Sequence, residues 1–131
     1  MDDTFHYPCK MDSPHAPHWV GDAATQSPSA EERLLIDNRD HILVWGYAED
    51  EDASYEFDEM ALVSLFGMFY LVQTSGCSCP SPGEMWHVEW SGDIDTLWRK
   101  VIAGEYTGYT LPKWAQDHMN RAFSMAKGMT T

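Results

Sequence analysis

Positive charge is scarce in this chain: Lys and Arg number 8 against 21 Asp and Glu, for a net charge of −13 at pH 7. A field of that sign repels phosphates and anionic lipid, so neither direct nucleic-acid binding nor a membrane partner is expected. Long apolar runs are missing too. The longest, Met60 to Val72, is interrupted by Ser64 and Gly67 and is too short to cross a bilayer as a helix. Cysteine is sparse and odd in number, at three, so the thiols cannot all pair within one chain. Met1-Asp2-Asp3 is acidic and no apolar stretch follows, so a secretory leader is not expected and a reducing cytoplasm is. The motif inventory is also empty of a phosphate-binding P-loop, a Gly-rich dinucleotide turn and a Gly-x-Ser-x-Gly nucleophile elbow.

What is present is aromatic and unevenly charged. Six Trp, six Tyr and five Phe among 131 residues exceed what a disordered chain carries. Residues 1–95 hold 19 of the 21 acids and only Lys10, Arg33 and Arg39 as bases, whereas residues 96–131 hold five bases against Glu105 and Asp117. The acidic potential therefore belongs to the first part of the chain, where it favours a basic partner, faster encounter and strong salt dependence.

Residues 1–30 carry four prolines among Ser, Ala, His and Asp without sustained periodicity, and are expected to form an extended, weakly ordered arm. Residues 31–131 are expected to form a single α+β domain. Ser29 with Glu32 three positions on has the form of a capped start to a helix of one or two turns. His41 to Tyr47 is rich in β-branched and aromatic residues and reads as a strand. Glu49-Asp50-Glu51-Asp52 must be a solvated turn, because four adjacent carboxylates cannot share a buried site. Tyr55 to Leu65 resumes as a strand, Phe66-Gly67 turns, and Met68 to Thr74 returns, with Gly67 the natural site for a positive φ. Met85 to Trp90 alternates as a short edge strand, with a helical turn fitting nearly as well.

Two helices follow. Ile94, Leu97, Trp98, Val101 and Ile102 recur with helical period, with acids first, bases later and Gly104 as the stop. A second helix is expected over Leu111 to Lys127, capped by Thr110, with Pro112 in its first turn, Gly128 at its end and an apolar stripe of Trp114, Ala115, His118, Met119, Ala122 and Met125. The expected architecture is an antiparallel meander of three to four strands with two C-terminal helices packed on one face.

Tyr55-Glu56-Phe57-Asp58, the apolar strand after it, the turn at Gly67, Phe69-Tyr70 and then Ser75-Gly76-Cys77-Ser78-Cys79-Pro80-Ser81-Pro82 together resemble a group of small proteins encoded by actinobacterial tailed phages. The resemblance covers roughly residues 54–98 and departs from the group at Gly83-Glu84-Met85-Trp86, where an aromatic or acidic residue is expected soon after the second proline. It implies a phage origin and expression in the cytoplasm of an infected bacterium. It brings no settled activity.

Several constellations bear on chemistry. Cys77 and Cys79 could aim two sulfurs at one point, and zinc would take further ligands from His87 or, in the arm, from His6, Cys9, His15 and His18. Small thiols packing the turn are the plainer reading. A reactive cysteine near His87 or His41 would need a positive field, and the surroundings are acidic. Glu56 and Asp58 share one side of a strand, as an acid and base pair would, but exposed carboxylates are everywhere in this stretch. Asp50-x-Asp52-x-Ser54 starts like a calcium loop, yet Tyr55 replaces the required glycine and Ala61 stands at the twelfth position.

The expected function is accordingly a surface function without catalysis. Glu49, Asp50, Glu51, Asp52, Glu56 and Asp58, beside Trp45, Tyr47 and Tyr55, are the candidate contacts of an accessory protein that binds and inhibits or redirects a host protein with a basic surface, DNA mimicry or anti-defence being the sharper form. The alternative is a small zinc module using Cys77, Cys79 and His87. A homodimer is left open, and no other cofactor is expected.

Overall fold

A computed structural model describes residues 9–11, 16–17, 29–50, 56–77, 86–103 and 111–130, with the side chains of 56–58, 75–77 and 129–130 left out of the description. Five strands, β1 (Cys9–Lys10), β2 (Leu43–Glu49), β3 (Glu56–Leu65), β4 (Met68–Cys77) and β5 (His87–Gly92), form one antiparallel sheet in sequence order. Three helices, α1 (Ala30–Asp37), α2 (Ile94–Val101) and α3 (Lys113–Thr130), flank it, and a short 3-10 turn, Arg39–His41, leads from α1 into β2. The α+β class and the meander are as expected.

The fifth strand comes from the arm. Cys9 pairs with Val44 and Lys10 with Leu43, and Met11 beyond them is buried. The expectation of a weakly ordered arm is thus corrected for these residues: two backbone pairs and one buried methionine tie them to β2.

The β3–β4 hairpin is the spine of the sheet, with an unbroken register from Glu56↔Cys77 to Leu65↔Met68. Its two-residue turn takes positive φ at both positions, 53° at Phe66 and 86° at Gly67, the combination that matches the twist of the flanking strands. Gly67 adopts this freely; Phe66 does so against the steric preference of an L-residue.

The two faces of the sheet bury separate cores. On one, Trp45, Ala48, Met60, Leu62, Phe69 and Leu71 meet the apolar stripes of α2 and α3. On the other, Val44, Ala61, Val63, Leu65, Tyr70 and Val72 pack with Met11, Leu35, Ile42 and Trp86. The expectation of helices on one face therefore holds for α2 and α3, while α1 lies on the opposite face. The capping box at Ser29 and Glu32 that starts α1 is present, and Asp93 caps α2 by accepting from the Thr96 amide at 2.8 Å.

In α3 the buried stripe is Ala115, Met119, Ala122, Phe123 and Ala126. Trp114 and Met125 are half-buried and pack against the same core, so of the expected stripe only His118 is exposed, while Phe123 and Ala126 join it. Pro112 precedes the first helical residue, and the helix runs through Gly128, where nothing would meet an added Cβ. Small residues on this stripe bring α3 close to β2: a Cβ on Gly46 would lie 2.4 Å from the Ala122 Cβ. Gly46 follows a bulge, since Val44 pairs with Val63 but Gly46 with Leu62, leaving Trp45 as the extra residue. That extra residue resets the alternation, so Trp45 and Gly46 both serve the face under α3.

Candidate functional site

The acidic stretch divides between β2, β3 and the connection between them. Glu49 is exposed at the end of β2 and Asp50 is half-buried just beyond it, while Glu51, Asp52 and Tyr55 lie outside the described residues. Glu56 and Asp58 are in β3, opposite Cys77 and Ser75 of β4. Because the pairing with β2 ends at Glu49↔Glu59 and that with β5 ends at Gln73↔His87, the segment Glu56–Asp58 pairs only with Ser75–Cys77 among the described residues. The register therefore brings the acidic stretch and Cys77 to one end of the sheet, as a two-stranded ribbon continuing past its neighbours.

At the base of that ribbon two glutamates stand directly opposite each other, Glu49 and Glu59. Like charges in that relation repel. Glu49 faces solvent, whereas Glu59 is only 8% exposed and accepts a 3.0 Å hydrogen bond from the Tyr47 hydroxyl at its Oε2. Burial, and then the charges of Glu59 and Glu49, push the Tyr47 phenol well above its ordinary value. The pair places the Glu59 carboxyl group inside the sheet beside the Tyr47 hydroxyl. Sequence alternation carried a signal for it, since Glu59 is in phase with Ala61, Val63 and Leu65.

The aromatic contacts expected beside the acids sort differently. Trp45 is 5% exposed, its indole Nε1 donating to Ser64 Oγ at 2.9 Å and its ring set 5.6 Å from Phe69. The expectation that it anchors a partner is corrected: the bulge turns it into the core under α2 and α3. Tyr47 is half-buried against the opposite core.

The thiol and imidazole candidates are not brought together. His87 pairs with Gln73, four residues along β4 from Cys77, or roughly 13 Å at the rise of a strand. One tetrahedral zinc with bonds of about 2.0–2.3 Å does not join backbones so placed. His87 Nε2 instead shares a 2.7 Å hydrogen bond with Glu89 Oε1. Cys79 lies outside the described residues, and among those described no group of three or more His, Cys, Asp or Glu is disposed to hold a metal ion.

Bases gather on the helices over the other face, where Arg99, Lys100, Lys113, Arg121 and Lys127 all reside on α2 and α3. Part of this charge is used locally. Lys127 Nζ donates to Asp95 Oδ1 at 3.1 Å and lies 5.1 Å from the Trp98 ring, and Lys100 lies 5.6 Å from that of Trp90. The opposite layer carries acids in structural roles: Glu32, 7% exposed, accepts from the amides of Ser29 and Val88, each at 3.0 Å, and Glu31 accepts from the Ser91 hydroxyl. No helix among the described residues is long and apolar enough to cross a membrane.

No family model, curated protein or solved structure matches the chain.

Proposed function

We propose that this chain is an acidic accessory protein of phage type that works by binding, without catalysis, a basic surface of a host protein in the cytoplasm of an infected bacterium. The observation that supports this reading is the register at the β2–β3 end of the sheet. Glu49, Asp50, Glu56 and Asp58 belong to one end of the sheet, while five of the eight bases belong to α2 and α3. Charge segregated in this way steers encounter and orients a basic partner, and its contribution falls as salt rises. Glu51, Asp52 and Tyr55 of the intervening connection belong to the same proposed surface. Trp45 does not, being core. Mimicry of a nucleic-acid backbone against a DNA-binding host or defence factor is the sharper form.

The test is affinity capture from a bacterial host lysate, identification of the captured protein by mass spectrometry, and measurement of association with that protein once purified. Binding should weaken from low to high salt, and a Glu49→Lys, Asp50→Lys, Asp52→Lys chain should lose it through a slower on-rate. Capture that is indifferent to salt and to this charge reversal would remove the proposal.

A further inference from the structure

At the other end of the sheet, away from the acidic ribbon, a pocket of about 430 Å³ opens between the β3–β4 turn and the start of α2. That volume lies in the range of sites for small molecules, roughly 300–1,000 Å³. Leu43, Trp45, Phe69 and Ile94 supply apolar wall, buried Ser64 one hydroxyl, and exposed Asp93 the charged group among the described lining residues.

The chemistry of these groups is selective. Trp45 and Phe69 are tilted at 47° to each other, so a ligand between the turn and α2 meets aromatic carbon from two directions. Aromatic walls attract a cation through the ring quadrupole and accept an apolar body. Ser64 Oγ accepts from Trp45, and its own O–H remains a donor, which ties the indole to anything that enters. Asp93 is held in place by the Thr96 amide. Hydrogen bonds from Thr96 hold its carboxyl below the ordinary range, keeping it anionic at neutral pH. The carboxylate repels an anion, and it offers a cation a charge attraction that a neutral ligand lacks.

We infer that this pocket binds a small organic ammonium with an aromatic or branched apolar body, the body against Trp45, Phe69 and Ile94 and the cation towards Asp93. The site is separate from the acidic end and does not depend on the function proposed above.

The experiment uses the full chain, labelled so that the Trp45 indole N–H is visible by NMR, titrated with phenethylamine, 2-phenylethanol and phenylacetate. Phenethylamine is expected to shift the Trp45 signal and to bind at least about fivefold more tightly than the neutral alcohol, the factor given by one charge pair near 4 Å in water. Phenylacetate should bind least. Asp93→Asn keeps a good helix cap and removes the charge, so it should abolish the preference for the amine while leaving the spectrum otherwise folded. A capped Gly-Lys-Gly peptide, which carries the ammonium without an aromatic or branched body, should bind more weakly than phenethylamine, and tighter binding would overturn the inference. No shift at Trp45 with any cation, equal binding of the three aromatic probes, or an amine preference that survives Asp93→Asn would each overturn the inference.

Discussion

The two faces of this sheet are built by different means. Under α2 and α3 the core is apolar and close-packed, made of side chains that recur with helical period and of small residues, Gly46, Ala115, Ala122 and Ala126, that let a helix approach the strands. The opposite core is covered by the two-turn α1 and short pieces of the arm, and it holds polar groups within it: Glu32, Glu59, Thr74 and the Trp86 indole nitrogen are all buried. Both faces are held by apolar packing; the second adds polar groups, of which Glu32 and Glu59 accept hydrogen bonds, while the Thr74 hydroxyl oxygen and Trp86 Nε1 find no partner among the described residues. Damage to the first should lower the stability of the whole molecule, and damage to the second should loosen one layer.

The largest expected effect is on the first face. Phe123 is fully buried, its ring edge-on to Trp98 at 6.4 Å. Phe123→Ala should cost about 3–5 kcal/mol, measured by denaturant unfolding. Hydrogen exchange should accelerate throughout the sheet rather than only in α3. A cost near that of a surface change, below about 0.5 kcal/mol, would break the picture of a packing-dominated face.

Next comes Glu32, which links the cap of α1 to the Val88 amide of β5 across 56 residues of sequence. Glu32→Ala removes both charge-assisted bonds and should cost about 2–3 kcal/mol. Its signature should be local: exchange at Val88 and in α1 rises, while β3 and the α3 stripe stay protected. Glu32→Gln, with one acceptor oxygen, should fall between. Uniform loss of protection would instead mean that the two faces unfold as one unit.

How much of this was legible in sequence follows the same division. The α2 stripe at Ile94, Leu97 and Val101 and the hairpin turn at Gly67 could be read directly, because period and turn chemistry are local signals. In α3 most of the stripe is legible, but His118 fits the helical period as well as Phe123 and Ala126 do, and only the sheet decides which of them is buried. Trp45 was misplaced because a bulge shifts alternation by one residue and leaves no mark in composition. The placement of α1 on the opposite face rests on Glu32 reaching Val88, a contact no local pattern encodes. At the acidic end, the residues could be named from the sequence, while the pairing of Glu56 with Cys77 and the distance from Cys77 to His87 required the register.

Tyr47 tests whether the second face depends on satisfied polar groups. Tyr47→Phe leaves the buried Glu59 carboxylate without that donor and should cost about 1–2 kcal/mol at neutral pH. The pH dependence has a definite sign. The folded phenol holds its proton more tightly than the unfolded one, so its contribution is fully present below the ordinary value of 10.0 and is lost as the pH rises beyond it. The wild-type chain should therefore lose more stability at alkaline pH than Tyr47→Phe, which keeps only the smaller loss from the buried Tyr70 phenol, measured as unfolding midpoints across that range. Parallel curves for the two chains would show that the Tyr47–Glu59 pair does not carry this stability.

The smallest effect is expected at the turn where the hairpin serving both faces reverses. Phe66 is 67% exposed with φ at 53°, in a turn whose first position favours Asn, and the His41 ring lies beside it, with centroids 5.6 Å apart. An L-residue with a bulky side chain gives up about 1–2 kcal/mol in the left-handed region, and an asparagine there gives up less. Phe66→Asn should therefore stabilise the chain by about 0.5–1 kcal/mol after the lost contact with His41 is counted, read as a rise in the denaturation midpoint at constant slope. Because β3 and β4 contribute to both cores, the gain should appear equally in exchange from either face. A destabilised Phe66→Asn chain would mean that the aromatic ring holds the turn, and that the strain in its backbone is outweighed by contacts such as that with His41.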